Sequence, residues 1–346
     1  RARSFEAISA ETLVRKKDQM IMTGKDLRII FMGTPEFAVA SLRRLAGDGY
    51  NVVAVVTTPD KPAGRGRKMH ESDVKVAARE LGLPILQPEK LKAEEFVEAV
   101  RALNPDLGIV IAFRMLPEII WAMPRLGTFN LHASLLPQYR GAAPINHAIM
   151  NGETETGITT FLLNHEIDKG AIIGQRREPI LPEDNMGSMY EKLMTAGCDL
   201  VVETVEKIAS GDIRPIEQSD VDESQLKPAP KIFKEDCEID WSWGGRRIVN
   251  FVRGLSPYPA AWSRMRKADG CGEETGSAKI FEATFRPESN PAPAGTVSTD
   301  GRDSISVACA DGRIEIGSLQ LAGKRRMSNR ELLVGFRNLE DYVFGK

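Results

Sequence analysis

Two patterns of apolar positions divide the chain. In the first two-thirds, solid apolar runs alternate with stretches in which apolar residues recur every three or four positions. Leu27-Arg28-Ile29-Ile30-Phe31-Met32, Val52-Val53-Ala54-Val55-Val56-Thr57 and residues 107–113 are solid runs, as expected of strands buried on both faces. Residues 83–86 and 128–131 are shorter strands. Helices are expected over residues 35–46, 74–81, 93–103, 144–150 and 188–209. Thr34 would cap the first, with Pro35 at its first helical position and Gly47 and Gly49 at its end. Pro144 and Gly152 bracket the fourth. Residues 157–163 and 170–176 suit an antiparallel pair around a turn at Asp168-Lys169-Gly170. Strands alternating with helices imply a mostly parallel sheet with right-handed crossovers.

The pattern changes after Gly211. Residues 211–231, rich in Pro, Asp, Glu and Ser, have the composition of a linker. A basic helix over residues 245–255 follows, with Ile248, Val252 and Leu255 as its apolar side. Short strands broken by glycine come next, at residues 278–285, 295–298, 304–309 and 314–321, a spacing that suits a small β domain. The expected architecture is α/β: a Rossmann-like, mostly parallel sheet with flanking helices over residues 27–210, a linker over 211–231, and a small β domain over 232–346. Residues 1–26 mix Arg, Lys, Glu and Asp without an apolar core. They are expected to be a disordered extension, not a secretory leader.

Composition narrows the chemistry only a little. A chain of 346 residues with 42% hydrophobic and 27% charged residues is an ordinary globular one of about two domains. Its net charge of −2 gives no global sign of nucleic-acid binding, so any RNA contact must be a local patch. Residues 227–346 hold 19 basic and 16 acidic side chains, a slight positive excess. Cys198, Cys237, Cys271 and Cys309 form no C-x-x-C pair, which argues against zinc and for reduced cytoplasmic thiols. His165-Glu166 lacks the second histidine of a metalloprotease motif, because residue 169 is Lys. No ligand spacing for a metal is present, and no run is long and apolar enough to span a membrane. Gly33-Thr34-Pro35-Glu36-Phe37 lacks the later glycines of a dinucleotide loop, which argues against a nicotinamide enzyme.

The chemistry concentrates in Asn130-Leu131-His132-Ala133-Ser134-Leu135-Leu136-Pro137-Gln138-Tyr139-Arg140-Gly141-Ala142-Ala143-Pro144. Asn130 and His132 are two apart, so an extended backbone points both the same way at a strand's end. An amide and an imidazole side by side suit a reaction in which an oxyanion forms while a proton moves. Asp168 supplies a carboxylate partner. Ligands of open parallel sheets bind beyond the strands' carboxyl ends, so the end of the 107–113 run should line the same site. Thr58 to Lys68 carries Lys61, Arg65, Arg67 and Lys68 among prolines and glycines, which point to a loop without regular structure. It can be a solvated arm or a grip on phosphates.

The fifteen-residue stretch with its downstream Asp resembles the signature of the folate-dependent formyltransferases, Asn-x-His-x-Ser-Leu-Leu-Pro. Its continuation, Arg140-Gly141-Ala142-Ala143-Pro144-Ile145, is similar to the branch that formylates methionyl-tRNA. The resemblance runs from about residue 27 to about residue 333. It implies transfer of a formyl group from 10-formyltetrahydrofolate, a co-substrate, to the amino group of methionyl initiator tRNA, with no metal and no obligate protein partner. It also implies that Asn130 and His132 stabilise the oxyanion, with His132 assisting proton movement. Asp168 would orient His132 or relay a proton through water. Ser134, Leu135, Leu136 and Pro137 would form a folate wall, with Phe113 and Arg114 beside it. Arg114 stands where the family more often has glycine after an aromatic residue. The small β domain would be an OB-like barrel. Lys61, Arg65, Arg67 and Lys68, together with Lys324 and Arg325 in the basic run Lys324-Arg325-Arg326, would meet the tRNA. A formyltransferase acting on a sugar-nucleotide amine or a purine precursor would use the same trio. A non-catalytic RNA-binding protein on this scaffold would have no need of it.

Overall fold

The structure is a computed structural model, and it describes residues 22–63, 68–218, 222–268 and 274–345. The apolar runs form strands where expected: β1 (Ile29–Gly33), β2 (Val52–Val56), β5 (Ile85–Leu86), β6 (Leu107–Ile111) and β7 (Thr128–His132). Every residue of β1 and β6 is buried, which is why neither sequence alternates. Helices α1 (Glu36–Gly47), α2 (Asp73–Glu80), α3 (Glu94–Ala102), α4 (Glu118–Trp121) and α5 (Pro144–Met150) lie between or after these strands. β8 (Glu155–Leu162) and β9 (Ile172–Pro179) follow, then α6 (Met186–Ser210). The sheet order is β5-β2-β1-β6-β7-β8-β9. The first five strands run parallel, and β8 returns antiparallel to β7. Chain progress reverses direction across the sheet between β1 and β6, and the carboxyl ends beside such a switch are where ligands of open α/β sheets bind.

Packing on this sheet follows the helical periodicity. Phe96, Val97 and Val100 of α3 pack with Ile30, Met32, Val56 and Val110 in one cluster. Gly108 in β6 faces Thr128 so closely that a Cβ would come 2.3 Å from its Oγ1.

Two local expectations change. Pro35 is the N-cap of α1, one residue later than expected, and the Thr34 hydroxyl is buried without a partner. The segment expected to be an irregular loop carries two short antiparallel strands, β3 (Lys61–Ala63) and β4 (Lys68–His70). Pro62 is tolerated because this is a two-stranded ribbon, in which one side of each strand needs no partner. Arg65 and Arg67 lie outside the described residues. Residues 1–21 of the expected extension lie outside the described residues; Thr23 and Asp26 cap a 3-10 turn (Gly24–Asp26), and the Gly24 amide donates to Glu206.

The chain's contacts group into two units. One comprises the described residues up to Arg140 with Gly157–Glu178 and Glu191–Lys227; the other comprises Gly141–Thr156, Pro179–Tyr190 and the described residues from Pro228 on. The second unit holds α7 (Gly245–Leu255), β10 (Ala261–Lys267), β11 (Glu274–Pro287), β12 (Val297–Thr299), β13 (Ile305–Cys309), β14 (Gly312–Leu321), β15 (Met327–Ser328), α8 (Asn329–Gly335) and β16 (Tyr342–Phe344). Its strands run β12-β13-β14-β11-β10-β16, with β15 on β14. A bridge between Thr296 and Val343, and the Phe344 amide donating to the Gly295 carbonyl, bring the two ends of that path together. The result is a nearly closed barrel. Ile248, Val252 and Leu255 of α7 enter its core with Ile280, Val307 and Ile316.

Four of these elements, β10, β15, β16 and α8, lie outside those expected from the sequence. β10 turns Ala261, Ser263 and Met265 inward and Trp262, Arg264 and Arg266 to half-exposed positions, so its inner face is barely more apolar than its outer one. β16 has only three residues. α8 is announced by a capping box between Ser328 and Glu331. Phe344 is 2% exposed and packs 6.0 Å from Trp241, ring centre to ring centre. Phe344→Ala should therefore cost about 3–5 kcal/mol, measured by denaturant unfolding of the intact chain, although it lies in a strand of three residues.

Candidate active site

β7 delivers both Asn130 and His132 to the edge of the parallel sheet. Its register pairs Asn130 with Val110 of β6 and Phe161 of β8, and His132 with Thr159. The His132 ring is 7% exposed. Its Nε2 lies 2.9 Å from the Tyr139 carbonyl oxygen. A carbonyl only accepts, so Nε2 carries the proton and Nδ1 is left to face Asp168 Oδ2 at 3.9 Å. That gap is too long for a direct hydrogen bond, and an oxygen lying off the line can bond both atoms. Asn130 presents an Oδ1 that is buried and without a partner in the chain. A buried polar atom left without a partner is rare in a folded chain, and this one lies at a strand's carboxyl end.

The loop after β7 is held by a polar network. Thr159 Oγ1 donates to the Ser134 carbonyl at 2.7 Å and accepts from the Leu136 amide at 3.1 Å. Gln175 Nε2 donates to the Leu136 carbonyl at 2.7 Å and to Thr159 Oγ1 at 2.9 Å. The Ser134 hydroxyl donates to the Gln138 carbonyl at 2.6 Å, and the Leu136–Pro137 peptide is cis. Of the expected wall, Ser134 and Leu136 face the interior, the latter against Phe161 and Ile172. Leu135 and Pro137 remain half-buried.

The Asp168 turn is strained, and neighbours hold it. Asp168 has φ +55°, a conformation costly outside glycine. At Gly170 an added Cβ would stand 1.6 Å from the Leu162 carbonyl oxygen, so the turn lies hard against β8. Lys169 bonds Glu223 at 2.6 Å and Glu166 at 2.9 Å. Those bonds, Glu223's foremost, raise the lysine's pKa, and Lys169 in turn lowers that of Glu223.

Ala112, just past β6, also has positive φ, +47°, and exposed non-glycine strain at a strand end fits a site rim. Phe113 packs on the cluster that includes Leu116. Arg114 Nη1 donates to the Glu89 carbonyl at 2.9 Å, and Nη2 bonds the Pro88 carbonyl. Its guanidinium thus staples the segment after β5 to the end of β6. The expected tRNA contacts are spread differently. Lys61 is exposed on β3, and Lys68 begins β4. In the second unit Lys324 is exposed, whereas Arg325 already pairs with Glu331 at 2.6 Å. Among the described residues no group of three or more His, Cys, Asp or Glu could hold a metal ion. No described helix is long and apolar enough to cross a membrane.

Residues 27–205 match the formyl transferase profile, and residues 231–337 match that family's C-terminal domain. The chain belongs to the formyl transferase family. It is 56% identical over 322 residues to the methionyl-tRNA formyltransferase of Bacteroides thetaiotaomicron, covering 93% of this chain and 99% of that one. The Parabacteroides distasonis enzyme of the same name is 54% identical over 327 residues, 94% of this chain and 100% of its own. Solved structures share the fold at lower identity. HypX from Aquifex aeolicus, in complex with tetrahydrofolic acid, superposes with TM-score 0.58 at 20% identity over 90% of this chain, which spans about half of HypX, 48%. An N-formyltransferase from Helicobacter canadensis, bound to folinic acid and dTDP-3-aminofucose, superposes with TM-score 0.58 at 17% identity, over 87% of this chain and 100% of its own.

Sequence reasoning did not single out Thr159, Gln175 or Gln218 as site residues, because their importance lies in loop carbonyls that only folding brings within reach. Thr159→Val keeps the side chain's shape but leaves the Leu136 amide and part of Gln175 unpaired in a fully buried position. It should destabilise the catalytic unit by roughly 1–3 kcal/mol, read from the midpoint of chemical unfolding.

Proposed function

We infer that this chain transfers the formyl group of 10-formyltetrahydrofolate to the amino group of methionyl initiator tRNA, giving N-formylmethionyl-tRNA for translation initiation. The observation that carries the reading is the convergence of Asn130, His132 and Asp168 in a chain more than half identical, end to end, to enzymes of that name. The reaction belongs in the cytoplasm, where initiator tRNA is used.

The amine nitrogen attacks the formyl carbon, a C–N bond forms, and the formyl oxygen gains the electron pair. Asn130, at the end of β7, hydrogen-bonds the developing oxyanion through its amide N–H. Its orphaned Oδ1 is a ready acceptor for an N–H of the incoming amine. The Nε2–H of His132 is already given to the Tyr139 carbonyl, so Nδ1 is the ring atom that works. Nδ1 and the Asp168 carboxylate flank one small space, in which a proton leaving the amine can be taken up directly or through water. Collapse of the tetrahedral intermediate breaks the bond to the folate nitrogen, which leaves with the electron pair and gains a proton. Leu135, Pro137 and Phe113 offer apolar surface beside that space for the folate ring, and Arg114 fixes the rim through the Pro88 and Glu89 carbonyls. Lys61, Arg65, Arg67, Lys68, Lys324 and Arg325 supply phosphate contacts to the tRNA.

The direct assay charges initiator tRNA with labelled methionine, adds enzyme and 10-formyltetrahydrofolate, and looks for formyl-methionine; none formed sinks the reading. Asn130→Ala, His132→Ala and Asp168→Ala should each lower turnover by ~10²-fold or more, the scale of a lost oxyanion donor or acid–base group. Circular dichroism should show all three folded. A folded, fully active variant removes its residue from the mechanism.

A salt series tests the tRNA assignment against a sugar-amine acceptor. Each phosphate contact releases counterions, so the logarithm of affinity falls with that of salt, and losing one contact flattens the slope by about one unit or less. Replacing Arg65, or Lys324 with Arg325, should weaken tRNA binding and flatten the slope while leaving folate binding alone. Arg325 should contribute less than Lys324, because Glu331 already neutralises it. Unchanged slopes in both variants would exclude tRNA phosphate contacts at these positions.

A further inference from the structure

We propose that residues 213–218 and 222–227, a stretch with the composition of a linker, are a strap that completes the active site, and that Gln218 is a positioning residue for Asp168. The proposal rests on the formyl-transfer reading of Asn130, His132 and Asp168.

Gln218 is 7% exposed, unusual for a glutamine in a polar connecting segment. Its carboxamide is used from both ends. Nε2 donates to the Asp168 carbonyl at 3.1 Å and to the Gly170 carbonyl at 2.7 Å, and Oε1 accepts from Arg140 Nη2 at 2.8 Å. The two carbonyls bracket Lys169, so one amide group pins the backbone on either side of the turn's centre. That turn carries the φ of +55° at Asp168, and a residue so strained keeps its place only when its surroundings over-determine it. Arg140, the third partner, belongs to the segment that follows His132. A single buried amide therefore ties the Asp168 turn to that segment.

The rest of the strap repeats the arrangement. Ile216 and Ile172 exchange both backbone hydrogen bonds at 2.8 Å, just beyond the turn. Glu223 bonds Lys169. The Lys227 carbonyl accepts from the Tyr139 amide at 2.8 Å, and the Tyr139 carbonyl in turn takes the Nε2–H of His132. Gln138 donates to the Gln225 carbonyl at 3.2 Å and accepts from the Lys227 amide at 2.8 Å. The strap thus reaches Asp168 directly, through Gln218 on its main-chain carbonyl, and His132 through one intermediary, Tyr139. Their 3.9 Å separation is set by a segment that is remote from both in sequence.

The test compares wild type, Gln218→Met and Gln218→Glu, each also in an Asp168→Ala background. Methionine keeps the shape without the hydrogen bonds. Glutamate keeps the acceptor for Arg140 and places an oxygen where the donor was. Both should lower kcat about tenfold, with KM for 10-formyltetrahydrofolate and for tRNA changed less than about twofold. In the Asp168→Ala background either change should lower kcat less than about twofold further, because a residue acting only through Asp168 has nothing left to position. An unchanged kcat, a loss confined to KM, or the same tenfold loss repeated without Asp168 would overturn the proposal. If Gln218→Met does not fold, Gln218→Glu carries the comparison. Amide hydrogen exchange is the readout independent of activity: Leu162 and Ile172, whose amides bond the Ala171 and Ile216 carbonyls on either side of the turn, should exchange faster in both variants while β1 and β6 stay protected. Unchanged exchange there overturns the strap even if wild type proves inactive as a formyltransferase, a result that by itself would refute only the assigned reaction.

Discussion

The constraint on which the proposed site depends is that His132 and Asp168, the pair to which we assign the proton, are held apart at a distance that neither residue sets for itself. His132 and Asp168 stand 3.9 Å from each other, one at the end of β7 and the other in the turn after β8, with α5 and β8 between them in the chain. Hydrogen bonds from the surrounding segments set that separation. The imidazole is turned by the Tyr139 carbonyl, and the Asp168 turn is fixed by Gln218 and by its tight seat on β8.

The parallel sheet supplies the rigidity for this arrangement. β1 and β6 are buried throughout, and β7 is locked between β6 and β8. A side chain at the end of such a strand has little freedom to wander, which suits groups that must meet a transition state within a fraction of an ångström. The loops beyond the strand ends have no ladder of their own. They are braced by side-chain-to-carbonyl bonds instead, from Thr159, Gln175 and Arg114. Recognition of a large acceptor is a separate problem, for which we propose Lys61 on β3 and the basic run at Lys324, both exposed and both remote from Asn130 and His132 along the chain.

Much of this was legible in the sequence, for physical reasons. Strands buried on both faces must be solidly apolar, so β1, β2 and β6 announce themselves. A helix needs a start and a stop, and Pro144 and Gly152 mark those of α5. Two residues of the right chemistry two positions apart on a strand must share a face, so Asn130 and His132 could be paired without coordinates. The Asp168 turn, with its glycine and lysine, could be placed near them but not oriented.

Tertiary structure decided what rests on backbone carbonyls and on weak patterns. β10 hides because its inward side chains are Ala, Ser and Met, and β16 because three residues carry no period. The segment around Lys61 pairs into a ribbon despite its prolines, because only one side of each strand must bond. Arg114 is bonded to two main-chain oxygens, of Pro88 and Glu89, which only the fold brings to it. Gln218 sits in a stretch whose composition promises only a tether. Any polar residue there would have read the same, because composition records what a side chain could bond, and only the fold determines which carbonyls come within its reach.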